Sequence, residues 1–237
     1  MIGIINRIKR QIRNKNRFST YIFYAVGEMV LVVIGILLAL QIDNWNSRRL
    51  DREEAVKSYK NVRRQLMEDR AELMKVKEMN SHHTATIERA GYLIQEKSEQ
   101  KTDSLAMMIM GLSQYSDFHR SGNIYETLVN SGAIKLLRNP EVTSNLQRLE
   151  MTYTNLNKLE DIHWEIILNE LSPELKGVIN YATLEIVKPE KLYSVEIQNF
   201  LIESIYMTNA KELIYNKALA EIDVVVEEID QELLASK

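Results

Sequence analysis

Residues 21–42 read YIFYAVGEMVLVVIGILLALQI, 22 residues with one formal charge, Glu28. A helix of that length rises about 33 Å, against a bilayer hydrocarbon core of about 30 Å. A helix in the core of a soluble domain keeps a polar face, and this stretch is apolar almost all the way round. It reads as a transmembrane helix. Its apolar run exceeds the roughly 7–15 residues of a signal-peptide core. No small-x-small cleavage pattern follows it, so it is expected to remain as an anchor.

The order of residues within the stretch carries more than its length. At about 100° per residue, Tyr21, Glu28, Gly35 and Ala39 fall on one stripe. Gly35-x-x-x-Ala39 is a small-xxx-small pair, which admits a second helix backbone at close range. A carboxylate in a span is costly and rarely faces lipid. The stripe is therefore expected to face a partner helix, most simply a second copy in a homo-oligomer. The plainer alternative is that Glu28 snorkels toward the headgroups while glycine is merely common in spans.

Outward from the span, the chain is asymmetric in charge. Residues 1–20 carry six basic side chains and no acid: Arg7, Lys9, Arg10, Arg13, Lys15 and Arg17. Ile5, Ile8 and Ile12 lie at helical spacing between them. This reads as an amphipathic tail on anionic lipid headgroups. Residues 43–237 carry 24 Lys and Arg against 32 Asp and Glu, and an acidic body is a poor nucleic-acid binder. Trp45 on one flank and Tyr24 with Tyr21 on the other stand where interfacial aromatic anchors are expected. Basic flanks stay cytoplasmic. Five basic residues, Arg48, Arg49, Arg52, Lys57 and Lys60, also follow the span. The acid-free tail decides for an N-terminus inside. The expected domains are a cytoplasmic tail (1–20), a transmembrane helix (21–42) and an extracytoplasmic helical domain (43–237).

The body has no cysteine, eight glycines in the whole chain and three prolines. Disulfides and thiolate chemistry are excluded, and long helices with few turns are favoured. Ala55, Tyr59, Val62, Leu66, Leu73 and Val76 make a narrow apolar stripe interrupted by Asp69, as in a coiled-coil seam. The helix is expected to end near Asn80, with a second over 81–97 burying Ile87, Ala90 and Ile94. SEQKTD (98–103) reads as a loop whose Asp103 caps a short helix carrying Leu105, Met108, Ile109 and Leu112. Residues 124–131 form another short helix, stopped by Gly132. Asn139-Pro140-Glu141 combines an N-cap residue, proline at the first helical position and an acid for the helix dipole. The helix it starts should bury Val142, Leu146, Leu149, Tyr153 and Leu156 and reach about Leu171. Ser172-Pro173-Glu174 repeats the start signal. Pro189 and Ser194 precede a last helix carrying Leu201, Ile205, Tyr215, Leu219, Ile222, Val226, Ile229 and Leu233. Only 182–187 (ATLEIV) suggests an extended piece. The expected fold is an all-α bundle.

Two stretches resemble a known family. Tyr24-Ala25-Val26-Gly27-Glu28, Leu31 through Gln41 and Asn44-Trp45-Asn46 are similar to the opening signature of a domain-of-unknown-function family of single-span Bacteroidota membrane proteins. Tyr125-Glu126-Thr127-Leu128, Ser131-Gly132 and Leu136-Leu137-Arg138-Asn139 resemble its second recurring stretch. The resemblance implies a bacterial inner-membrane protein with a helical periplasmic domain, and places Glu28 in the family's pattern. It implies no activity.

The sequence has no constellation typical of an enzyme. His82 and His83, with Glu88 nearby, are adjacent and point about 100° apart on a helix, which does not suit one metal ion. In Asp161-x-His163-x-Glu165, His163 continues an apolar face and reads as a satisfied core histidine. His119 stands in a polar loop with Asp117. No phosphate-binding glycine loop or GxSxG elbow occurs. No cofactor, no nucleic acid and no catalysis are expected. The expected partners are the lipid bilayer, a second copy and possible other membrane proteins. The sequence points to a membrane-anchored structural or interaction protein. Proton or ion movement through Glu28, and ligand sensing through a partner, are the alternatives.

Overall fold

Between Tyr59 and Ile94 the buried positions recur at alternating steps of four and three, and that spacing builds the longest element. The computed structural model describes residues 17–236 except 98 and 121. The chain divides into two units, Met1–Glu54 and Ala55–Lys237. Helix α1 spans Arg17–Glu96. In the first unit every side chain from 21 to 54 is exposed.

From Ala55 onward α1 buries Ala55, Tyr59, Val62, Leu66, Asp69, Leu73, Val76, Asn80, Ile87, Ala90, Leu93 and Ile94. The expected break near Asn80 is absent: 81–96 continue the same helix. The seam keeps its phase through Asn80, which is fully buried, and His83, which is half-buried.

The second unit continues through α2 (Thr102–Gly111), α3 (Ile124–Asn130), α4 (Pro140–Ile166), α5 (Ser172–Lys176) and α6 (Val195–Ala235). Most of its start signals are used. Asn139 accepts from the Glu141 amide at 2.9 Å, and Ser194 from the Ile197 amide at 3.4 Å. Gly132 takes the left-handed φ of 72° that stops α3. Two expectations fail. Lys101, not Asp103, stands at the start of α2, because a 3₁₀ turn over Glu99–Lys101 runs straight into that helix. Ser172 starts nothing new: α4 passes through one π-helical turn, Ile167–Leu171, directly into α5. Pro173 has no N–H to give the carbonyl four residues back, and the widened turn lies just ahead of it. The extended piece expected over 182–187 is a two-residue antiparallel pair, Ile179–Asn180 with Glu185–Ile186.

Polar contacts fix the helix directions. Arg63 meets Asp230, Arg70 meets Asp223 and Asn80 meets the Thr208 carbonyl, so α6 runs antiparallel to α1. Asn139 meets Glu232 and Asn145 meets Glu228, so α6 is antiparallel to α4 as well. The seam of α6 is Ile197, Leu201, Ser204, Thr208, Lys211, Tyr215, Ala218, Ile222, Val225 and Ile229, again in steps of four and three.

Apolar burial falls into two clusters. One gathers Tyr59–Val76 of α1, Val142–Leu156 of α4 and Tyr215–Ile229 of α6. The other gathers Ile87–Ile94, α2, the π turn, Leu175 and Ile197–Leu201. Between them, each long helix presents polar seam residues.

The Asn139 cap carries a prediction. Asn139→Ala should lower stability by about 0.5–2 kcal/mol through loss of the N-cap. Asn139→Asp should keep the cap while setting a second carboxylate against Glu232, its present partner at 2.9 Å. Denaturant midpoints of the two variants, compared with the parent, check both.

Candidate functional site

The residues singled out in and beside the span lie on one helix and, among the described residues, meet no other. Tyr21, Tyr24, Glu28, Gly35, Ala39 and Trp45 are all on α1, and all are exposed. A Cβ built on Gly35 would meet nothing within 4 Å. The Arg49 guanidinium lies 5.9 Å from the centre of the Trp45 ring. The tail residues Arg7, Lys9, Arg10, Arg13 and Lys15 lie outside the described residues, and Arg17 is the first residue of α1. The apolar part of α1 is long enough to cross a membrane, and none of it is buried. By length and composition alone, a signal sequence passes the same test.

The histidines are dispersed. His82, exposed, and His83, half-buried, both border a surface groove of about 670 Å³ with Thr86, Asp103 and Met107. Glu88 is exposed. Asp161 and Glu165 are exposed while His163 is buried between them. His119 Nδ1 is 3.6 Å from Asp117. Among the described residues no three His, Asp or Glu side chains could hold one metal ion.

The chemically dense region is the polar layer between the two apolar clusters, and sequence reasoning missed most of it. Ser116, on the irregular segment between α2 and α3, is fully buried at its centre. Its Oγ donates to Asn80 Oδ1 at 3.1 Å, and Asn80 Nδ2 donates to the Thr208 carbonyl at 2.9 Å. Lys211 Nζ donates to Ser116 Oγ at 2.7 Å and to the Ser116 carbonyl at 3.1 Å. The same ammonium lies 5.4 Å from the centre of the Tyr115 ring. Tyr215 Oη is 3.1 Å from Ser116 Oγ and 3.0 Å from Glu160 Oε1. Glu160 Oε1 also accepts from the Phe118 amide at 3.0 Å. Three segments of chain thus meet at one serine, and Tyr215 and Phe118 tie in α4 through Glu160. Beside this centre, Tyr153 donates to Asp69 at 3.3 Å and packs against Phe118.

Burial governs the ionisation of this layer. It pushes the Glu160 carboxyl up to about 8, against hydrogen bonds from Tyr215 and Phe118 that favour the anion. It pulls the Lys211 ammonium down to about 8, against the attraction of Glu160 and Asp117. It drives His163 down to about 3, with Lys211 and His83 adding to the effect, so that imidazole is neutral at pH 7. His163 is a core residue as expected, but its Nδ1 makes no hydrogen bond among the described residues. Its ring instead meets Tyr115 edge-on at 5.8 Å, and Tyr115 stacks on Trp164 at 5.6 Å.

One signal for the layer was in the sequence. Asn80, Ser204, Thr208 and Lys211 occupy seam positions in otherwise apolar repeats. A polar residue on a core face is informative because burying it requires partners. Glu160 likewise holds a seam position of α4, between Leu156 and His163, whereas Ser116 gave no such signal because it lies outside any helix.

No curated protein and no solved structure matches the chain. A family model described as "Family of unknown function (DUF6090)" matches residues 28–210, from the charged position of the apolar run to the residue before the buried lysine. That match takes in well over half of the sequence, and the chain belongs to DUF6090, a family of unknown function.

Proposed function

We propose that this chain is a membrane-anchored helical interaction protein. Residues 21–42 cross the bacterial inner membrane, the basic tail lies on cytoplasmic headgroups, and the Ala55–Lys237 bundle is displayed in the periplasm. The span associates with a second copy through Tyr21, Glu28, Gly35 and Ala39. The protein is not an enzyme and takes no cofactor or nucleic acid. Its contacts are the bilayer, its own copies and other membrane proteins.

The observation that carries this reading is the contrast along α1. From Ala55 the helix buries one face against the bundle, whereas every side chain from 21 to 54 is exposed, including the whole apolar run. Soluble monomers rarely expose a contiguous apolar patch beyond a few hundred Å². Such a surface calls for lipid, another helix, or both. Gly35 adds a second observation: it costs about 1 kcal/mol of helix propensity relative to Ala. No neighbour within the described residues requires it to lack a Cβ.

The test has two stages. The full chain should stay with membranes through an alkaline carbonate wash, whereas release would remove the anchor. In those membranes, Ala39→Cys should crosslink to its own copy much faster than Leu38→Cys, about 100° round the helix. The chain has no native cysteine to interfere. Equal or absent crosslinking at both positions would refute the self-associating stripe and leave a plain anchor.

A further inference from the structure

We propose that the bundle contains a proton-operated latch: Glu160 carries one hydrogen, donated to Tyr215, which completes the hydrogen bonds fastening residues 115–118 to α1, α4 and α6.

A count of hydrogens carries the proposal. Three buried oxygen–oxygen contacts form a chain from Asn80 Oδ1 through Ser116 Oγ and Tyr215 Oη to Glu160 Oε1, with separations of 3.1, 3.1 and 3.0 Å. Each contact needs one hydrogen. The serine and tyrosine hydroxyls supply two. Among the described residues no neighbouring donor supplies the third. Asn80 Nδ2 is directed at the Thr208 carbonyl, which turns its oxygen toward Ser116. Lys211 points two hydrogens at Ser116, where the serine oxygen only accepts. With Glu160 ionised, either Tyr215 and Ser116 face each other without a hydrogen or Asn80 Oδ1 loses its donor. A buried polar contact left without a hydrogen is costly. With Glu160 neutral, its hydroxyl donates to Tyr215, Tyr215 to Ser116 and Ser116 to Asn80. The same oxygen, Oε1, then a hydroxyl, can still accept from the Phe118 amide through a lone pair.

The fastened segment gives the proton a mechanical role. Residues 115–118 have no helix or strand of their own. Their polar atoms are held by the side chains of Lys211, Tyr215, Glu160 and Asn80. Loss of the Glu160 hydrogen breaks the chain of donors at its end. The charged and titratable groups facing this centre are Asp117 and Tyr115 on the segment, Lys211 and Tyr215 on α6, His83 on α1, and Asp161 and His163 on α4.

The sign follows from linkage. Glu160 holds its proton up to about pH 8 when closed, but releases it near 4.5 when exposed. Between those values the closed state binds the extra proton, and opening becomes about tenfold easier per pH unit. Below about 6.5, His163 opposes this, because it is neutral when closed and protonated when exposed. Above about 8, Lys211 opposes it, being neutral when closed and charged when exposed. The clean window is about pH 6.5–8.

The experiment is amide hydrogen exchange of the full chain in detergent micelles, corrected for intrinsic rates, with the Phe118 amide as reporter. In the parent, opening should increase roughly thirtyfold across that window. In Glu160→Gln, which removes the titrating group, it should stay flat. In Lys211→Met the rise should persist through pH 8 without reversing above it. A protonated-carboxyl infrared band present at pH 7 in the parent and absent from Glu160→Gln would support the proposal directly. A flat parent, an unchanged slope in Glu160→Gln, or a slope lost only in Lys211→Met would overturn it. If Glu160→Gln does not fold, absence of that infrared band from the parent at pH 7 would overturn it.

Discussion

Tyr215→Ala is expected to destabilise the bundle by about 3–5 kcal/mol, the range for emptying a buried aromatic site. Tyr215 is the largest of the fully buried side chains and belongs to the first apolar cluster, so its removal opens a cavity where α6 meets the bundle. It also removes the hydroxyl between Ser116 and Glu160. Tyr215→Phe separates the two effects. It keeps the ring and removes one hydrogen-bond partner from each of Ser116 and Glu160, at an expected cost of about 1–3 kcal/mol. The check is denaturant unfolding of the full chain in mild detergent followed by the fluorescence of Trp164, which stacks on Tyr115 close to the layer. If Tyr215→Phe leaves the midpoint unchanged, the hydroxyl is not bonded as described.

Ser81→Pro is the second large effect, at about 3 kcal/mol or more. Ser81 is exposed and lies inside α1, with its Oγ donating to the Lys77 carbonyl at 3.1 Å. No packing is lost at such a site, so the cost comes from the backbone. Proline removes the hydrogen bond donated by the residue-81 amide to the Lys77 carbonyl, and its ring crowds that carbonyl. Were a helix to start afresh at Ser81, proline there would be well tolerated, as it is at first helical positions. The same unfolding measurement decides between the two, with Ser81→Ala as the control for the lost hydroxyl. A near-neutral Ser81→Pro would restore the break that sequence reasoning expected.

That misplaced break shows where sequence reasoning stopped. The apolar stripe from Ala55 to Val76 was legible, and so was the group around Ile87, Ala90 and Ile94. The seam positions between them are Asn80 and His83, and a hydrophobicity pattern reads polar residues as a boundary. Asn80 stays in the core because Thr208 and Ser116 satisfy its amide from α6 and the segment before α3. In the last helix, Leu201, Tyr215, Ile222 and Ile229 are buried as expected, but the rest of its stripe was misread for the same reason. Ser204, Thr208 and Lys211 carry the seam between Leu201 and Tyr215. The expected stripe used Ile205 and Leu219 instead, which are only partly buried beside the clusters. Asp69, taken as an interruption, is a buried seam residue that accepts from Tyr153.

Local chemistry was sufficient for the apolar run of α1, the all-α class and the ends marked by Asn139, Gly132 and Ser194. Each depends on groups within a few residues: side-chain apolarity, a cap reaching its own helix, or a backbone angle that glycine allows. The tertiary structure alone decided the continuity of α1, the π turn before Pro173 and the assembly of Asn80, Ser116, Glu160, Lys211 and Tyr215. Those outcomes depend on which polar atoms find partners across distances of 36 to 128 residues in the chain. Whether burying a lysine or a glutamate is tolerable depends on those partners, and the hydrophobic period of a single helix carries no record of them.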